Sequence, residues 1–276
     1  MHRMRAKGRK ALLSAIALAS AAALTAISVA LPATAREKPP SSDPLPTVVL
    51  VHGAFADASG WNDVSTRLQK RGYTVIAPAN PLRGVTSDSD YLTTVLATLP
   101  GPIVLVGHSY GGAVITNAAT GNPNVKSLVY IASYALDANE TLVAANALGG
   151  GHNDFAEHLV IRPFGAGPTD ADAYIDPTFF HDLFAGDLPM NQTAVMAASQ
   201  RPAALATLLT PSGTPAWRSI PSWYLVAADD HTIPPEAQRA MAARAGSTTI
   251  EVDSSHVAMI SNPAVVTQLV VEAAQK

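Results

Sequence analysis

The sequence predicts an α/β fold of three layers, a mostly parallel sheet covered on both faces by helices. Three observations carry this. Aliphatic and β-branched runs alternate along the chain with amphipathic or small-residue stretches. The runs are apolar at successive positions rather than at every second one, the pattern of strands buried on both faces. The chain has 276 residues, 48% of them hydrophobic, enough for one large core.

The elements follow in order. "TVVLVHG", from Thr47, is a buried strand ended by glycine. "WNDVSTRLQKRG" is an amphipathic helix with Trp61, Val64 and Leu68 on one face, closed by Gly72. "YTVIAPANP" is a strand stopped by prolines, and "SDSDYLTTVLATLPG" a helix with Ser and Asp at its start. "PIVLVGHS", "YGGAVITNAATG" and "VKSLVYIAS" read strand, helix, strand. "SWYLVAADD", "PEAQRAMAARAG", "TTIEVDSSH" and "PAVVTQLVVEAAQ" read strand, helix, strand, helix. The stretch from about 136 to 215 breaks this rhythm and is expected to be a mostly helical insertion with irregular joints, a cap over the sheet.

The first 35 residues form a separate object. A basic start, "MHRMRAKGRK", precedes the apolar "ALLSAIALASAAALTAISVALP" and then "ATA". This is the order of a secretory signal peptide with cleavage after Ala35. The competing reading is a retained N-terminal anchor, since the apolar run is nearly long enough to span a bilayer. Export therefore places the catalytic part outside the cytoplasm, and processing leaves no membrane span. Residues 36–46, "REKPPSSDPLP", read as an extended linker, and 47–276 as the globular domain.

Composition excludes several functions. A net charge of -3 without a basic stripe gives nucleic-acid binding no support. With no cysteine there is no disulfide or thiolate chemistry. No metal-binding spacing occurs, so neither a metal nor a cofactor is expected.

The chemistry concentrates at "VLVGHSYGGAVI". Ser109 stands between Gly107 and Gly111 where a strand turns sharply into a helix, and side chains at the glycine positions would clash in such a turn. The turn exposes the hydroxyl at the carboxyl rim of the sheet, above a helix N-terminus that favours developing negative charge. A serine nucleophile needs a base and the base an orienting acid, in the chain order Ser, Asp, His. "ADDHTIPP" offers Asp229 and Asp230, and "DSSHVAMISNP" offers His256. Two backbone N–H groups are required for the oxyanion, one from Tyr110 and the other from Ala54, with Phe55 as the alternative. His52 is expected to organise its turn and His108 to pack beside the elbow.

Together "VLVHGAFADASGW", "APANPLRG", "VLVGHSYGGAVI", "SWYLVAADDHTIPP" and "SSHVAMISNP" resemble the α/β-hydrolase superfamily, in particular compact bacterial serine esterases related to plant esterases and hydroxynitrile lyases. The resemblance runs from Thr47 to the C-terminus. It implies ester hydrolysis without a cofactor on a small-molecule substrate. The family's D-x-x-x-P turn, with Pro234, selects Asp230 as the acid. The family's usual first antiparallel strand pair has no counterpart in the short linker, so about six strands are expected. Hydroxynitrile-lyase chemistry is the alternative within enzymes, but the lysine that the resemblance implies beside the histidine is absent, Val257 following His256. A dehalogenase or epoxide hydrolase needs a carboxylate where Ser109 stands. A binder that uses the pocket without turnover is the alternative from another class, separated by turnover of a chromogenic ester.

In the insertion, Phe155, Phe164, Tyr174, Phe179, Phe180 and Phe184, with Trp217 beyond it, are expected mainly to hold the cap together, a minority lining an apolar pocket. Met190 and Met196 read as core filler, and His152, His158, His181 and His231 as solvated.

Overall fold

The computed structural model describes residues 44–276; the expected signal peptide with its expected cleavage site, and the start of the expected linker, lie outside the described residues. Strands β1 (Thr47–Val51), β2 (Val75–Ile76), β3 (Ile103–Ser109), β4 (Val125–Ser133), β8 (Ser222–Ala227) and β9 (Thr248–Val252) form one sheet, and β5 (Leu159–Pro163), β6 (Ala171–Ile175) and β7 (Ala203–Ala204) another. The large sheet has the order β2-β1-β3-β4-β8-β9, and every neighbouring pair is parallel. Six strands are present, as the short linker led one to expect.

Burial follows position in the sheet. All seven residues of central β3 are buried, whereas edge strand β9 alternates between exposed and half-buried. That is why IVLV reads as a continuous apolar run and TTIEV does not. Edge strand β2 is only two residues long, because Pro78 follows soon after and cannot donate to a ladder.

Helices α1 (Asn62–Gln69) and α10 (Pro263–Ala273) pack together on one face of the sheet, and α2 (Val85–Ala97) and α3 (Tyr110–Ala118) on the other. Gly72 ends the α1 region with φ +88°, a conformation L side chains rarely adopt. Asp88, rather than a residue before the helix, caps α2: its carboxylate accepts from the N–H groups of Arg83, at 3.0 Å, and Gly84, at 3.4 Å. Ser127 Oγ donates to Ala273 O at 2.6 Å and fixes α10 against β4.

The insertion contains four helices, α4 (Leu142–Ala145), α5 (Phe180–Phe184), α6 (Met190–Ser199) and α7 (Ala206–Leu209). It also contains the antiparallel sheet β5-β6-β7, which corrects the reading of its joints as irregular. In β6 the inward residues are Ala171, Ala173 and Ile175, so the alternation is real but its apolar side is small. Met190 is 73% exposed and is not core filler, since it opens α6 on the solvent side. Phe164 and Phe179 are also exposed, while Phe155, Phe180 and Phe184 are buried. Helix α8 (Pro235–Arg244) and the single turn α9 (Ala258–Ser261) complete the chain.

Candidate active site

Ser109 ends β3 and caps α3 with φ 53° and ψ -127°, a strained conformation for a residue with a side chain. The surrounding glycines are explained by contact. A Cβ on Gly107 would lie 2.7 Å from Gly111 O, and one on Gly111 would lie 2.5 Å from Val51 O. A Cβ on Gly53 would lie 2.6 Å from Ser109 Cβ, so the turn after β1 presses directly on the serine. On the far side Ser133 Oγ donates to Ser109 O at 2.8 Å, tying the elbow to β4.

His256 follows β9 and is fully buried. Its Nδ1 lies 2.7 Å from Asp230 Oδ2. An ionised carboxylate only accepts, so this hydrogen bond assigns a proton to Nδ1 and leaves Nε2 as the ring nitrogen open to a further partner. Nε2 is buried and without a hydrogen-bond partner among the described residues. Asp230 is 2% exposed and its carboxylate is saturated: Oδ1 accepts from Thr232 N at 2.7 Å and Ile233 N at 2.9 Å, and Oδ2 from Gln238 Nε2 at 2.8 Å. Asp229 is exposed, and its backbone N–H donates to Ser254 O at 3.0 Å.

Ala54, Phe55 and Tyr110 are all buried beside the elbow. Phe55 has φ 62°, part of the sharp turn that brings this segment over Ser109. Tyr110 is anchored by its own hydroxyl, which donates to Asp88 Oδ2 at 2.6 Å. Burial, reinforced by the Asp88 charge, pushes that phenol well above its usual pKa, so it stays a donor.

The two other histidines of the rim act on the backbone, as expected from their positions. His52 Nδ1–H donates to Gly53 O at 2.9 Å, while Nε2 accepts from Asn80 N–H at 2.9 Å. Only a neutral ring can do both, and burial lowers its pKa. His108 Nε2–H donates to the carbonyl of His256 at 2.9 Å. Burial first, then the neighbouring His256, holds its pKa well below the ordinary 6.5.

Three polar residues at the site were not singled out in the sequence. Gln238, buried in α8, donates to Asp230 and to Ile233 O and accepts from Ala227 N, joining the acid to the end of β8. Asp88 holds Tyr110, and Asp187 of the cap contacts the loop before His256. The available signal was a lone amide or carboxylate on an otherwise apolar helix face, which for Gln238 and Asp88 marks a buried polar group in need of partners.

The cap covers the site with aromatic rings. Phe184 lies 5.0 Å from the His256 ring, and Phe55 packs edge-on to Phe184 at 6.5 Å. Beyond them is a cavity of about 250 Å³. Phe180, Phe184, Met196, Val257 and Met259 form its apolar wall, and Asp57, Asn62 and Gln192 are among its polar lining. Met196 packs against the core, as expected, and also lines this pocket. Of the four histidines expected to be solvated, His152 and His231 are exposed, while His158 and His181 are half-buried, His158 stacking on Phe179 at 4.0 Å and His181 Nδ1 lying 3.2 Å from Thr193 Oγ1.

Residues 48–269 match the model of the Alpha/beta hydrolase family. The chain is 29% identical to Methylesterase 17 of Arabidopsis thaliana, over 86% of this chain and 94% of that one. It is 30% identical to a Pyrethroid hydrolase of Sphingobium wenxiniae, over 70% of this chain and 74% of that one. The crystal structure of polyneuridine aldehyde esterase superposes with a TM-score of 0.72 at 21% identity, covering 83% of this chain and 98% of that one. With a family match that spans the sheet, the elbow and the histidine loop, this chain belongs to the alpha/beta hydrolase family.

Proposed function

We propose that the protein is a secreted serine carboxylesterase that cleaves small or medium apolar esters through an acyl-enzyme. The observation that carries this reading is the combination of a strained serine at a strand-to-helix elbow with a buried Asp230–His256 pair whose Nε2 is unpartnered among the described residues. Ser109 Oγ attacks the acyl carbonyl while His256 Nε2 takes its proton. Asp230 holds the imidazole tautomer and stabilises the cation that forms. The tetrahedral oxyanion is received by the N–H groups of Tyr110 and Ala54, Phe55 being the alternative second donor. His256 then returns the proton to the leaving alcohol, and water, activated by the same nitrogen, releases the acid through a second tetrahedral intermediate.

Relatives named as a methylesterase and a pyrethroid hydrolase support ester cleavage, and the cavity bounded by Phe180, Phe184 and Met196 suits an apolar acyl or alcohol part. Lyase chemistry has less support, because Val257 stands after His256 and no lysine lines the cavity. Export rests on the N-terminal pattern alone, and N-terminal sequencing of protein from the medium should read from Arg36. The function is tested with chromogenic esters of graded acyl length and a fluorophosphonate probe. Both signals are expected in the wild type and lost in Ser109→Ala; labelling that survives in Ser109→Ala moves the nucleophile elsewhere.

A further inference from the structure

The loop that delivers His256 is held from two sides. On the core side His108 Nε2–H donates to the His256 carbonyl. On the cap side Asp187, in the turn between α5 and α6, accepts from the two residues directly before the histidine. Ser255 N–H donates to Oδ2 at 3.0 Å, Ser255 Oγ to Oδ1 at 2.5 Å, and Ser254 Oγ lies 3.1 Å from Oδ2. Both serines are buried, 1% and 5% exposed. Burial of the Asp187 carboxyl opposes ionisation, but the hydrogen bonds from Ser255, Ser261 and Ser254 outweigh it, and its pKa lies below the ordinary value.

The same cap segment is also bonded to the loop of Asp230. His231 Nδ1–H donates to Asp182 O at 2.9 Å, and Thr232 Oγ1 donates to Leu183 O at 2.8 Å. Phe184 sits between these anchors and Asp187, against the imidazole itself. A single hydrogen bond at Nδ1 fixes one point of a ring, and the direction of Nε2 then depends on where the backbone of His256 is held.

We propose that Asp187 is a positioning residue that fixes the Ser254–His256 backbone from the cap, so that His256 Nε2 is aimed at Ser109 when the cap is closed. This rests on the serine-hydrolase reading. A purely structural role for Asp187 would lower the melting temperature and leave the rate of folded enzyme unchanged. A positioning role acts on kcat, because small misplacements of a base are costly.

The test compares Asp187→Ala, Asp187→Asn and Ser255→Ala with wild type in the full chain. Measured are kcat and KM on a chromogenic ester, labelling of Ser109 by fluorophosphonate, melting temperature, and the downfield proton resonance of His256 Nδ1–H. Asp187→Ala is expected to lose about 10- to 100-fold in kcat, with KM within about twofold and a broadened resonance. Asp187→Asn, which keeps one acceptor oxygen, recovers part of the rate. The proposal is overturned if kcat per labelled serine in both Asp187 variants stays within about twofold of wild type. If Asp187→Ala does not fold, Asp187→Asn and Ser255→Ala carry the same comparison. A wild type that neither turns over nor labels removes the serine-hydrolase reading, and an unchanged resonance in Asp187→Asn then overturns the positioning role on its own.

Discussion

Asp230 Oδ2 lies 2.7 Å from His256 Nδ1, while Asp229, its neighbour in the chain, is turned to solvent. Both follow the end of β8 at Ala227, and the turn there sends Asp230 inward and Asp229 outward. Asp230→Asn should lower turnover about 10⁴-fold, through loss of tautomer control and of cation stabilisation. Asp229→Asn should keep turnover near normal with a small change in melting temperature. Turnover and thermal melts of the two variants side by side decide it; the reverse pattern assigns the acid to Asp229.

Gly53 and Gly111 should tolerate alanine differently. On Gly111 the new methyl meets the Val51 carbonyl at 2.5 Å, backbone against backbone, and β1 must move. Gly111→Ala should be destabilised by several kcal/mol, on the order of 3 or more, as over-packing in a rigid core requires. On Gly53 the methyl meets Ser109 Cβ, so Gly53→Ala should lose turnover and fluorophosphonate labelling before it loses fold. Circular-dichroism melts with active-site titration separate the two cases.

Gln238 supports Asp230 from behind. Gln238→Leu fills the same space but leaves Ala227 N–H and Ile233 O without their side-chain partner. Each unsatisfied buried group costs about 1–3 kcal/mol. The variant should lose stability on that scale in chemical denaturation and lose turnover as well, since one of four donors to the Asp230 carboxylate is gone. Unchanged midpoints in urea would show that the network is not needed.

The buried histidines set a pH dependence of stability. His108 has its pKa lowered by burial, so in the folded protein it stays neutral where the unfolded chain, with a value of 6.5, takes up a proton. The unfolded state then binds more protons, and stability falls as the pH drops below about 6.5. The slope contributed by His108 is up to about 1.4 kcal/mol per pH unit until its folded pKa is reached. His52, also lowered by burial, adds in the same direction. Melting temperatures between pH 7.5 and 5 should therefore decline, and His108→Asn should flatten the decline; an equal slope in the variant refutes the assignment.

Much of this arrangement is legible in the sequence, for physical reasons. Strands buried on both faces announce themselves as unbroken apolar runs, as in β3 and β8, and a glycine pair around one serine marks a turn that no other residues fit. Between Asp229 and Asp230 the residues alone do not choose; the family resemblance, through its D-x-x-x-P turn, implies Asp230, which the structure pairs with His256. What is not legible depends on partners distant along the chain. Asp88 meets Tyr110 over 22 residues and Asp187 meets Ser255 over 68, and nothing local to either marks the contact. The cap sheet is hidden for another reason: the inner side of β6 is two alanines and one isoleucine, and Ala203–Ala204 is too short to show a period.

The aromatic cover over the histidine bears on time rather than on shape. Ser109 is 4% exposed, His256 is fully buried, and neither borders the cavity beyond Phe55 and Phe184. On the proposed esterase reading, an ester held in that cavity reaches the Ser109 hydroxyl only after those rings turn aside. Ring and loop displacements of this kind occur on microsecond to millisecond scales and often limit turnover in their own right. On the same esterase reading, a dependence of turnover on solvent viscosity is the expected sign that this opening contributes to the rate.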